Sequence, residues 1–241
     1  MSDQRLSNPT TTPNTLDPTA AAPTLDVKAS AAFLSQAFLW MFAGLLVSAG
    51  VSFWVTQSAQ LMAFAAENLF ILFMAQLALV FVIGLGINKI SATAALGLFF
   101  VYAASLGLTI GLIVAQYEGA SVAAAFLSAS AMFGAAAIYG AVTKRSLAGL
   151  GGILLMGLIG LIVASLINIF LASDSLSWII SIVGVVIFTA LTAYDVQRIQ
   201  QGDLVRMYGS VEKAAVIGAL RLYLDFINIF LFMLRLFGGR N

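Results

Sequence analysis

Residues 214–237 read AAVIGALRLYLDFINIFLFMLRLF, an apolar run with Arg221 and Asp225 near its middle and Arg235 at its end. A bilayer crossing needs about 20 consecutive apolar residues at a helical rise of about 1.5 Å each, so the run is long enough to cross once. Arg221, Asp225 and Asn228 fall at i, i+4 and i+7, a single polar stripe on a helix that is otherwise apolar all round. An ionised group at the centre of a bilayer costs about 2.5–3.5 kcal/mol on insertion scales and persists there only against a partner or a wet cavity. The stripe therefore places this helix inside a bundle, with neighbours covering its polar face.

Working outward, six more charge-poor runs precede it, at about 33–56, 68–87, 92–116, 121–142, 149–172 and 177–199. They are too long and too uniformly apolar for barrel strands, which alternate with a period of 2, so helices are the reading that satisfies every backbone group in lipid. The composition agrees: 61% of the 241 residues are hydrophobic and 9% charged, with a mean hydropathy of +1.04. The expected fold is all-α, a polytopic seven-helix bundle over residues 33–241. Residues 1–32 hold all four prolines (Pro9, Pro13, Pro18, Pro23) amid Thr, Ser, Asn and Asp, the composition of a disordered leader. No basic segment immediately precedes the first apolar run, which argues for a retained span over a cleaved signal peptide.

Sorting bases by loop orients the bundle. Arg5, Lys28, Lys89, Lys144, Arg145, Arg198, Arg206 and Lys213 lie in the leader and in alternate connections, whereas the other three connections carry Glu67, Glu118 and Asp174 and no base. The positive-inside bias then predicts a cytoplasmic N-terminus and leader. Seven full spans put the C-terminus outside, against Arg235 and Arg240, and a re-entrant last helix is the alternative. The three outer carboxylates can gather divalent cations near a pathway mouth; solvated loop residues are the plainer reading.

With no His and no Cys, the chain cannot build an imidazole or thiolate metal site, a His-based triad, a His- or Cys-ligated haem or a disulfide. A net charge of +1 offers no field for nucleic acid. The titratable groups at depth form no nucleophile-and-base arrangement, which leaves enzyme activity without support. No cofactor is implied.

A third ionisable residue, Asp195, lies near the end of the sixth run, in line with Thr189 and Thr192 at steps of three. Counting from the span ends puts Asp195 about 7 Å and Asp225 about 16 Å deep, further apart than a hydrogen bond. Two arrangements satisfy these charges. In one, Asp195 and Asp225 meet; at about 4 Å and an effective dielectric near 20 they repel by about 4 kcal/mol, so they share one proton and titrate as a unit, a proton-responsive gate. In the other, Arg221 neutralises Asp225 along its own helix and Asp195 reaches headgroup water or Arg198. Gln36, Gln76, Gln116 and Asn168 read as interhelical hydrogen-bonding residues, with Gln76, Thr192 and Asn228 as candidates to line a pathway. Gly107 and Gly111 give the third span a small-xxx-small face for close helix approach.

Thr192-Ala193-Tyr194-Asp195-Val196-Gln197 and Ala219-Leu220-Arg221-Leu222-Tyr223-Leu224-Asp225-Phe226-Ile227-Asn228-Ile229-Phe230 resemble the paired C-terminal signature of the Bax inhibitor-1 (transmembrane Bax inhibitor motif) family. Gly107-Leu108-Thr109, and Tyr139-Gly140 with Thr143-Lys144-Arg145, are similar to its middle motifs. The resemblance covers about residue 33 to the end and is to a bacterial-type member; the short loops and compact size point to a bacterial inner membrane, and an organelle membrane would fit the same hydropathy. The resemblance implies seven helices with the last enclosed by the other six, and a pH-sensitive calcium leak in which the acidic pair, here Asp195 and Asp225, holds a closed state by sharing a proton. Calcium is then the transported ion and the pair its transient ligands, as suits a hard cation that takes oxygen donors. The chain departs from the pattern at Ser146, where the middle motif usually continues with an acid. The basic latch that some members carry in the second helix has only Lys89, beyond the span, as a stand-in. The resemblance also implies a second class of function: a partner that limits a membrane-bound ATP-dependent protease, for which the leader would be the docking segment.

Overall fold

The computed structural model describes residues 27–238, with side chains from residue 32. The chain runs through α1 (Val27–Gln57), α2 (Ala59–Glu67), α3 (Leu69–Gly86), α4 (Ala92–Val114), α5 (Gly119–Val142), α6 (Leu150–Leu171), α7 (Asp174–Gln200), α8 (Asp203–Tyr208) and α9 (Val211–Phe237). Seven of these, all but α2 and α8, are long and apolar enough to cross a membrane. Each coincides with one of the runs expected from sequence. The expected leader falls outside the described residues up to position 26, and the helix that contains the first apolar run already begins at Val27.

Four helix starts are closed by side chains, which matters most where lipid cannot supply the missing partner. Ser58, Ser91, Ser173 and Ser210 accept from the backbone N–H three residues on, opening α2, α4, α7 and α9. At the α6–α7 turn Asn168 Nδ2 donates to Ser177 Oγ at 2.7 Å, while its Oδ1 accepts from Ser173 N at 3.2 Å. That residue is an interhelical stitch, as its place in an apolar run suggested. Gln116 instead donates to Leu112 O on its own helix.

The last helix is the axis of the bundle. In α9, 72% of its apolar window is buried, against 11% in α3 and in α6. Its walls are α1, α5 and α7, with α4 closing part of the fourth side; α3 lies outside against α4, and α6 outside against α7. The enclosure by six helices is thus built in two shells. α9 is one continuous helix of 27 residues, about 40 Å long, so it is neither broken nor re-entrant.

Two glycine contacts set the spacing of the walls. A Cβ on Gly107 would stand 2.8 Å from Ser48 O, and one on Gly111 would stand 2.6 Å from Val55 Cβ, so this face of α4 admits the α1 backbone. A Cβ on Gly140 would collide with the Ala193 carbonyl, which locks α5 onto α7 two residues before Asp195.

Candidate functional site

α7 and α9 bring the three charges together, two of them buried. Asp195 is 7% exposed and Asp225 4%. Arg221 Nη1 donates to Asp195 Oδ1 at 3.1 Å across the helix interface. The groups that act on Asp225 through charge or a facing hydroxyl are Asp195, Arg221 and Thr192. Thr192 itself donates to Phe188 O at 2.8 Å. Among the described residues, Asp225 Oδ2 and Thr189 Oγ1 are the buried side-chain oxygens without a hydrogen-bond partner. A buried oxygen left without a partner loses its hydration and gains nothing in return, so such an atom marks where a proton, a water or a ligand belongs.

Both partners assigned in the simpler arrangement of charges are corrected. Arg221 bonds Asp195 on the neighbouring helix, and Arg198 bonds Asp203 Oδ2 at 3.4 Å while donating to Tyr194 Oη at 3.3 Å. The depth estimate compared Asp195 with Asp225; the group that bonds Asp195 is Arg221, one turn nearer the end that the two helices share. Asp195 lies five residues from the last residue of α7, Gln200, and Arg221 ten residues after Val211, the first of α9. The five-residue difference, roughly 7 Å of helix, lies within the reach of an extended arginine side chain. Tyr208 of the intervening α8 lies beside Arg221.

The remaining candidates separate. Asn228 Nδ2 donates to Leu224 O on its own helix at 2.8 Å. Gln76, expected as a possible pathway residue, is committed to the outer shell: its Nε2 donates to Thr109 Oγ1 at 2.9 Å and to Ser105 O at 3.0 Å, joining α3 to α4. Lys213 Nζ donates to Asn88 O at 3.3 Å, tying the start of α9 to the α3–α4 turn that carries Lys89.

Two features escaped the sequence reading. Gln197, 4% exposed, accepts from Leu147 N at 2.7 Å through Oε1 and donates to Arg145 O at 2.9 Å through Nε2. It clamps the α5–α6 loop to the helix that carries Asp195, and its position two residues after Asp195 was the available signal. Tyr223, fully buried, hydrogen-bonds Ser48 at 2.6 Å, while Ser48 Oγ also donates to Ala103 O at 2.7 Å. This joint between α1, α4 and α9 was masked by a serine and a tyrosine that each read as ordinary packing.

An all-α polytopic membrane protein whose enclosed last helix pairs its charges with the preceding span is the class that this fold and site define. The chain belongs to the Bax inhibitor-1 family: residues 30–241 match the family described as Inhibitor of apoptosis-promoting Bax1. It is 43% identical over 215 residues to the inner membrane protein YbhL of Escherichia coli K12, covering 87% of this chain and 92% of that one. An uncharacterized protein of Deinococcus radiodurans is 41% identical over 210 residues, covering 87% and 91%. A membrane protein of Streptococcus pyogenes, SpyM3_0260, is 44% identical over 171 residues, covering 69% and 72%. With seven crossing helices and relatives of this kind, the chain is a protein of the bacterial inner membrane.

Proposed function

We propose that the chain is a pH-sensitive calcium leak gated by the Asp195–Arg221–Asp225 cluster, with its N-terminus in the cytoplasm. The observation that carries this reading is Asp225 Oδ2, buried and without a hydrogen-bond partner beside an Asp195 already bonded to Arg221. With all three groups ionised the cluster carries two negative charges and one positive. One added proton brings it to neutrality, and Asp225 Oδ2 is the atom free to hold it. In that state the α7–α9 contact is closed. Loss of the proton leaves two carboxylates facing one guanidinium in a medium of low dielectric, which drives the two helices apart and offers oxygen ligands to a hard cation.

Among the described residues no three Asp, Glu, His or Cys side chains converge on a metal site, so calcium meets the pair in transit and is not stored there. The proposal supplies no nucleophile and no reaction; its chemistry is proton exchange and ion passage. Calcium entry into proteoliposomes, measured at pH 6, 7 and 8, tests it. Flux should rise with pH in the wild type and stay low and flat in Asp225→Asn, whose amide imitates the protonated side chain. Flat, leak-level traces in both proteins would sink the channel reading in favour of the protease-partner one.

A further inference from the structure

A cavity of about 420 Å³ lies among α1, α4, α5 and α9, at the end of the bundle away from the α7–α8–α9 connection. On α9 its wall is Phe226, Ile227 and Phe230. At about 100° per residue these point about 180° away from the Arg221–Asp225–Asn228 stripe. The cavity and the acidic cluster therefore occupy opposite faces of the same helix. The lining is hydrocarbon apart from hydroxyls contributed by α1 at Ser48, Ser52 and Thr56. Ser48 is already bonded to Tyr223 and Ala103, and Thr56 Oγ1 donates to Phe53 O at 2.7 Å. Water or a cation would find almost nothing to bind, because a stable buried water needs two to four polar partners.

We infer that this cavity is a binding site for the acyl chain of a bilayer phospholipid, entering sideways between α1 and α5. The rim identifies the occupant. Phe53 on α1 is 63% exposed and Phe126 on α5 is 50% exposed, and both line the cavity. With exposed phenylalanines of two crossing helices at its rim, the proposed site opens to the surrounding hydrocarbon. α1 and α5 touch through Phe38 and Phe133, centroids 6.3 Å apart, nearer the other end, so the seam is closed there and open at the cavity. Small residues, Ala49 and Ala123, occupy the two walls where a chain would pass. The volume is ample: an apolar cavity of about 150 Å³ already takes up benzene. The site is independent of the proton-gate reading, since its walls include none of the three charged residues.

The test is photo-crosslinking in proteoliposomes with a phosphatidylcholine carrying a diazirine in its acyl chain, mapped by mass spectrometry. The enclosed α9 is the informative target, because lipid at the outer surface reaches α3 and α6 but cannot reach Ile227 or Phe230. Cross-links at those α9 residues, reduced at least several-fold by Ala123→Trp while labelling of α3 and α6 persists, are expected. Labelling confined to outward-facing residues in a folded protein would overturn the inference. Because the chain has no cysteine, Ser52→Cys supplies a second reading of the same point. A membrane-impermeant thiol reagent should modify it far more slowly than Glu67→Cys. Equal rates would mean a water-filled vestibule and would also overturn the inference.

Discussion

Arg221 reaches across to Asp195 at 3.1 Å and leaves Asp225, one turn further along its own helix, with a buried oxygen that nothing in the described structure contacts through a hydrogen bond. In the proposed gate this asymmetry, one carboxylate satisfied and the other not, is what would let the cluster respond to a single proton. A symmetric sharing of the guanidinium would neutralise both acids only in part and leave neither as a distinct proton site.

Breaking that bond from one side strands a buried carboxylate. Arg221 is 31% exposed at the side chain, so the cost of Arg221→Gln should fall at the low end of what loss of one partner in a buried pair causes, about 2–3 kcal/mol. The double variant Arg221→Gln/Asp195→Asn should recover most of the loss, because no ion is left without its partner. Thermal unfolding in detergent of the two singles and the double measures the coupling; strict additivity would show the pair to be idle.

Gln197 holds two backbone groups of the α5–α6 loop that have no other partner in view. Gln197→Leu leaves a buried N–H at Leu147 and a carbonyl at Arg145 to find water, at about 1–3 kcal/mol. The exposed Lys144 and Arg145 in that loop make trypsin a direct reporter. Cleavage there should quicken several-fold in the variant, with no matching change elsewhere in the chain.

The α1–α4 seam predicts a contrast among glycines of one helix. Gly107→Val drives a side chain into Ser48 and Val51 and should sharply reduce the yield of folded protein, whereas Gly97→Ala, with nothing within 4 Å of its added Cβ, should be tolerated or mildly stabilising. Size-exclusion profiles of the two variants decide this.

Much of the fold was legible because the bilayer punishes charge so heavily: seven gaps in the charge pattern became seven crossing helices. The stripe of Arg221, Asp225 and Asn228 likewise announced an enclosed α9, since no lipid-facing helix carries such a line. What sequence arithmetic could not reach was register between helices. Asp195 and Asp225 looked mismatched in depth, and no local pattern showed that Arg221, one turn nearer the shared end, would bond Asp195. Gln76 illustrates the converse. Its residue type announced a hydrogen bond, but only the placement of α3 on α4 shows that the bond fastens the outer shell. The cavity behind α9 was invisible for a simpler reason: its walls are the same Phe, Ile and Ala that fill the core.

The central claim is that the Asp195–Asp225 pair holds one proton at low pH and releases it as the pH rises. Infrared difference spectroscopy of the reconstituted protein between pH 6 and pH 8 reads this directly through the protonated-carboxyl stretch. The account predicts one such band in the wild type at the lower pH, lost at the higher, and absent throughout in Asp225→Asn. A wild-type spectrum without a pH-dependent carboxyl band, or a band unchanged in Asp225→Asn, would contradict it.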